Sequence, residues 1–165
     1  MARSINPSDL EHRLWNEIEK SPVGMLMMLT NPPMHAQPMA AFVEREARQM
    51  WFFASADSEL GRAAADGGRL AMFVYQHKDF QACIGGQIFP QTDRERIDKY
   101  WNAIVAAWRP AGKNDPKLLL LCMECDDAQV WVSTANPVRF AWEIAKANAT
   151  GHEPDVGTHT GLTFH

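Results

Sequence analysis

Between Trp51 and Leu60 a run of large aromatic residues passes within a few positions into a helix start: Trp51-Phe52-Phe53-Ala54-Ser55-Ala56-Asp57-Ser58-Glu59-Leu60. The aromatic part predicts a buried strand, and Asp57 or Ser58 supplies the side-chain acceptor that caps a helix. A helix start leaves backbone N–H groups unpaired, with the positive end of the peptide dipoles behind them. With the hydroxyls of Ser55 and Ser58 added, such an end is a candidate seat for a phosphate beside an aromatic wall. An ordinary cap after a core strand uses the same residues, so the local sequence alone leaves both readings open.

The rest of the chain surrounds this strand with others. Asn6-Pro7 predicts a helix start, and Leu10, Leu14 and Ile18 give an apolar stripe on a helix over residues 7–20, stopped by Ser21-Pro22. Strands are expected at 23–30, 36–44, 49–54, 70–75 and 80–89, with a short Ala-rich helix over 58–66 ended by Gly67-Gly68. Gly85-Gly86 within the fifth strand predicts a bulge or a close backbone approach. Thr92-Asp93-Arg94-Glu95 reads as a capping box opening one helix to about Trp108. Two last strands, 117–124 and 128–133, are expected to turn at Asp126-Asp127. A helix from Pro137 to about Asn148 and a Gly/His/Pro-rich tail then finish the chain. Helices sit at the edges of the strand series instead of alternating with strands. That pattern predicts a mainly β protein, an antiparallel barrel with appended helices.

The 165 residues suit one domain, with the N-terminal helix 7–20 and the C-terminal helix plus tail 137–165 attached to it. A net charge of −4 with both signs scattered argues against nucleic acid or an anionic membrane as partner, since those surfaces need clustered Lys and Arg. The N-terminus, Met1 to Ser8, has no apolar run of the secretory kind, and the apolar run Val23–Leu29 is too short to span a bilayer. With three cysteines, an odd number, these features predict reduced thiols and a cytoplasmic location.

The chain carries few motifs with a chemical signature. Cys122 and Cys125 have CxxC spacing, but residues three apart on a strand point to opposite faces, so a shared metal or a redox pair is not expected. The six histidines show no helix spacing, and three lie in the tail; no metal site is predicted. There is no Gly-x-Ser-x-Gly elbow, Gly-x-Gly-x-x-Gly turn or Walker loop. No side chain declares itself as a catalytic acid or base. The six tryptophans serve equally as core filling or as a flat wall for a planar ligand.

In order and spacing the segments resemble the flavin-binding split barrels related to pyridoxamine 5'-phosphate oxidase, most closely the bacterial general stress protein branch. The resemblance runs from about Leu14 to the end. It is carried by Gln37-Pro38-Met39-Ala40, by Trp51 to Ser58, by Gly86, Asp93 and Trp101, and by Trp108-Arg109-Pro110-Ala111-Gly112-Lys113-Asn114-Asp115-Pro116. A Leu-rich strand ending near Ala128 and Trp131 follows, then Ala147 to Asp155. It implies a six-stranded antiparallel split barrel, a homodimer, and FMN in two clefts between the subunits. Carried over by position, Pro38 and Met39 bring backbone groups to the flavin ring and Phe53 forms part of its wall. Ser55 and Ser58 approach the phosphate, and Trp108 lies near the cleft.

Three positions depart from the family pattern at the phosphate. Gln37 stands where Arg is frequent, Ala54 where Thr is frequent, and Leu60 where Lys is usual. Charge-assisted bonds contribute about 1.5–3 kcal/mol each, so the uncompensated loss is on the order of 3–6 kcal/mol. Arg62, one helical turn past Ser58, and Arg69 are the basic residues placed to compensate. Three functions therefore compete: an FMN-dependent oxidoreductase-like protein, a non-catalytic dimer that has lost FMN and binds another planar or apolar ligand, and a purely structural dimer. Pyridoxamine-phosphate oxidase activity itself is disfavoured, because a phosphorylated substrate asks for further basic residues near the cleft.

Overall fold

The computed structural model describes residues 5–134 and 136–165; the reading of residues 1–4 as free of a leader lies outside them. Helix α1 (Pro7–Lys20) starts where expected, with the Asn6 side chain accepting the N–H of Ser8 at 3.1 Å. Its buried face is Leu10, Leu14, Trp15 and Ile18, which closes over the barrel interior. Trp15 meets Phe164 near the C-terminus, with ring centroids 5.3 Å apart.

Among the described residues, eight strands form one antiparallel sheet: β1 (Val23–Met28), β2 (Gln37–Ala40), β3 (Phe42–Glu44), β4 (Gln49–Ser55), β5 (Arg69–His77), β6 (Phe80–Gln91), β7 (Leu118–Ser133) and β8 (Gly157–Thr163). The order is β2-β1-β5-β6-β7-β4-β3, with β8 also on β7. The stretch expected as a single second strand breaks at Ala41. Its first half, β2, pairs with β1, and its second half, β3, pairs with β4, so the two ends of the sheet are joined by one bent stretch of chain. The sheet thus curls into the expected split barrel, with eight strand segments instead of six.

The split at Ala41 and a strand in the tail each add one segment, while two expected strands merge into one. Residues 117–124 and 128–133 do not turn at Asp126-Asp127; they are one strand, β7. Along it β6 pairs from Phe80–Val132 to Gln91–Leu120. The register slips once, between Gly85 and Gly86, leaving Asp126 as the additional residue of a β-bulge. Gly86 is required there, since a Cβ would lie 2.0 Å from the Glu124 carbonyl oxygen. The tail is ordered as β8, whose residues 157–163 pair with Ser133 back to Asp127.

The second helical region also differs. Asp93, not Thr92, caps α3 (Arg94–Tyr100), its carboxylate accepting the N–H of Arg96 at 3.0 Å. Asn102 then accepts the N–H groups of Ile104 and Val105 and starts a separate helix, α4 (Ala103–Trp108). An Asn side chain that bonds the backbone ahead of it competes with helix continuation, which explains the break.

Two apolar clusters follow from the alternation of β4 and β7. Met50, Phe52, Ala54, Leu121 and Met123 point into the barrel, while Trp51, Phe53, Leu120 and Cys122 point outward beneath α3 and α4. Both faces of β4 are covered, hence its unbroken apolar run. Cys122 and Cys125 fall in different clusters, as their spacing requires, and burial pushes the Cys122 thiol up to about 12.

Candidate functional site

The strand end at Ser55 and the turn into α2 (Glu59–Ala64) form a polar corner. Ser58 is the helix cap: its hydroxyl donates to the Ser55 carbonyl at 2.6 Å and accepts the N–H of Gly61 at 3.0 Å. Gly61 is needed because α2 lies against the turn; a Cβ there would be 2.0 Å from the Ser55 oxygen. The Ser55 hydroxyl donates to Asp57 Oδ1 at 2.5 Å. The opposite carboxylate oxygen of Asp57 receives Lys117 Nζ at 2.8 Å, and the Arg62 guanidinium donates to the Asp57 backbone carbonyl. Lys117 is brought here by strand register: its carbonyl accepts the N–H of Ala56 at 2.8 Å, and Leu118 faces Ser55 across β4–β7. The Lys117 ammonium, followed by the Ser55 hydroxyl, holds the Asp57 carboxyl down to about 2.

The remaining expected residues divide between this corner and elsewhere. Gln37 reaches it from β2, its Nε2 donating to Glu59 Oε2 at 3.2 Å. Beside Gln37 on β2, Pro38 is exposed, whereas Met39 packs partly against the barrel core. Three of the side chains are buried. Ala54 and Leu60, the latter only 1% exposed, sit in the barrel core. Phe53 is enclosed edge-on by Phe42 and Trp101, each with centroids 5.8 Å away. What Phe53, Ala54 and Leu60 offer a ligand at the corner is backbone. Arg69 is engaged away from the corner, with the Ala63 carbonyl and Asp66. Trp108 projects from the end of α4 and is 81% exposed.

Two basic residues escaped the sequence reading. Lys117 completes the corner described above. Arg109, next to Trp108, is half-buried and donates to the Phe53 carbonyl at 3.0 Å; burial lowers its pKa, and it makes no ion pair among the described residues. Lys117 arrives through the register of the Leu-rich strand and Arg109 through the loop leading into it, and neither carries a local signal. Between the start of α3 and the loop before β7 lies a cleft of about 340 Å³ lined by Gln91, Arg94, Ile97, Lys113, Asp115 and Leu118. Among the described residues, no group of three or more His, Cys, Asp or Glu side chains is arranged to hold a metal.

Residues 9–155 match the family model described as pyridoxamine 5'-phosphate oxidase like. The chain belongs to that family. A general stress protein 26 from Jannaschia sp. CCS1 superimposes with a TM-score of 0.76 at 29% identity, over 95% of this chain and 99% of that one. A general stress family protein from Xanthomonas campestris pv. campestris gives 0.71 at 33% identity, over 80% and 92%. The general stress FMN/FAD binding protein from Xanthomonas citri gives 0.69 at 34% identity, over 76% and 89%. A comparison with curated proteins gives no match. Among the described residues no helix is long and apolar enough to cross a membrane.

The donors of the polar corner are of the kind that hold an anion. A hydroxyl and an ammonium already converge on an anion, the Asp57 carboxylate, which stands in for phosphate oxygens.

Proposed function

We propose that this chain is an FMN-binding flavoprotein working as a homodimer, with oxidoreductase chemistry of the pyridoxamine-phosphate-oxidase-like type. The observation that carries the reading is the convergence of Ser55, Lys117 and Arg62 around the Asp57 segment, beside Gln37 and Pro38. Bound flavin supplies the electron transfer; the chain's own part is to hold phosphate at the corner and to lay the β2 backbone along the ring. The Xanthomonas citri relative, described as FMN/FAD binding, supports the same ligand class.

Two uncovered apolar surfaces support a second copy as partner. Val23 and Met25 on β1, and Leu70, Met72 and Val74 on β5, face outward and are exposed; Met25 lies opposite Val74. Helix α5 (Pro137–Thr150) buries no residue and exposes Val138, Phe140 and Trp142. Monomers rarely leave such contiguous apolar area in water.

The test is direct. Freshly purified protein should carry a flavin spectrum that bleaches with dithionite, or should take up added FMN and quench its fluorescence, and it should sediment as a dimer. A colourless preparation that ignores FMN would instead favour the second reading, a dimer for another planar or apolar ligand. Behind that alternative stands the replacement of the family's usual Lys and Thr by Leu60 and Ala54, which takes polar side chains away from the corner.

A further inference from the structure

The Asp57–Lys117 pair joins the turn after β4 to the residue before β7, and both side chains are open to water, at 60% and 64% exposure. Exposed ion pairs of this kind contribute little to stability, so they exchange partners readily. Here the exchange has a direction. The carboxylate uses one oxygen for the Ser55 hydroxyl and the other for the Lys117 ammonium, the two-point pattern that a phosphate monoester would also satisfy. Lys117 is held in place from two sides: its carbonyl accepts from Ala56, and its N–H donates to the Asp115 carboxylate at 3.0 Å. The Lys117 backbone is therefore fixed beside this turn, within side-chain reach of it whether or not Asp57 is the partner.

We infer that Lys117 is the phosphate-anchoring cation of this chain, replacing the basic groups missing at Gln37 and Leu60, and that Asp57 is a built-in competitor that a ligand's phosphate must displace. This rests on the flavin reading above for the identity of the ligand, but not for the anion chemistry. Leu60 lies in the core, so the Lys usual at that position in the family has no equivalent projecting into the corner; a cation arriving from another strand restores the charge. Removing Asp57's charge frees the ammonium and abolishes like-charge repulsion against phosphate. Removing Lys117 leaves both anions without it.

The experiment titrates the intact protein, wild type, Lys117→Met and Asp57→Asn, with FMN and with riboflavin, which lacks the phosphate. In parallel, thermal unfolding is compared in inorganic phosphate and in chloride at equal ionic strength. Lys117→Met should weaken FMN binding by on the order of tenfold or more and leave riboflavin unchanged, while Asp57→Asn tightens FMN. An unchanged FMN-to-riboflavin ratio in Lys117→Met, or a loss of FMN affinity in Asp57→Asn, overturns the inference. If the wild type binds neither flavin, yet phosphate raises its Tm through Lys117, the flavin reading fails and the anchor stands. If phosphate has no Lys117-dependent effect either, both fall.

Discussion

Arg96 and Glu44 form a two-point ion pair, Nε to Oε1 at 2.9 Å and Nη2 to Oε2 at 3.0 Å, that ties α3 to β3. The Tyr100 hydroxyl donates to the same carboxylate at 2.5 Å, and the guanidinium lies 4.4 Å from the centre of the Trp51 ring. One carboxylate thus fixes the helix that covers the outer aromatic cluster.

That arrangement predicts an acid sensitivity. The Glu44 carboxyl is lowered from 4.5 to about 2, first by the Arg96 hydrogen bond, with burial opposing and Tyr100 assisting. A folded-state pKa below the unfolded one gives stability that is complete above about pH 4.5 and lost as pH falls through about 2. Glu44→Gln should cost about 1–3 kcal/mol near neutrality and flatten this part of the acid limb. Urea unfolding of both proteins near neutral pH and at about pH 3 measures it; parallel acid limbs would refute the assignment.

Leu60 tests whether the family's missing lysine is a matter of charge or of packing. Being 1% exposed in the barrel core, Leu60→Ala should cost about 2–5 kcal/mol in chemical denaturation. Leu60→Lys should destabilise further, by burying an unpaired ammonium, instead of tightening FMN. A stable Lys variant with improved FMN binding would contradict this placement.

Gly61→Ala drives a methyl toward the Ser55 carbonyl oxygen, which is backbone and cannot swing aside. The expected loss is about 1–3 kcal/mol, with a shift of the Ser55–Ser58 turn visible in amide chemical shifts. Unchanged stability and shifts would mean that the turn yields without cost.

Trp108, at 81% exposure, should be removable without harm to the fold: Trp108→Ala is expected to change stability by no more than about 0.5 kcal/mol. If it lines the flavin cleft, the same variant weakens FMN binding in a fluorescence titration. Equal affinity would take Trp108 out of the site.

Met72 and Val74 sit on the exposed β5 face. Met72→Glu with Val74→Lys should leave the circular dichroism spectrum intact and convert a dimer to monomer in sedimentation, since charges placed in an apolar contact lose their hydration. A variant that remains dimeric would move the interface elsewhere.

Helix α1, strand β4 and the Ser58 cap were legible because each is written locally: a four-residue apolar rhythm behind Asn6-Pro7, an aromatic run, a hydroxyl at a helix start. Asp126-Asp127 misled for a physical reason. Polar pairs between apolar runs mark turns and bulges alike, and only the pairing of β6 along the whole of β7 selects the bulge. The tail misled likewise, because Gly157 to Thr163 becomes a strand only when the free edge of β7 is there to receive it.

Composition, alternation and motif order determined by themselves the barrel class, the family resemblance and the location of a polar corner after Phe53. Which charges occupy that corner was decided by the tertiary structure. Lys117 meets Asp57, and Arg109 meets Phe53, through register between β4 and β7 and the loop leading into it, and register depends on contacts between segments far apart in the chain. The burial of Leu60 belongs to the same class, since which face of a short helix turns inward is set by the sheet it lies on.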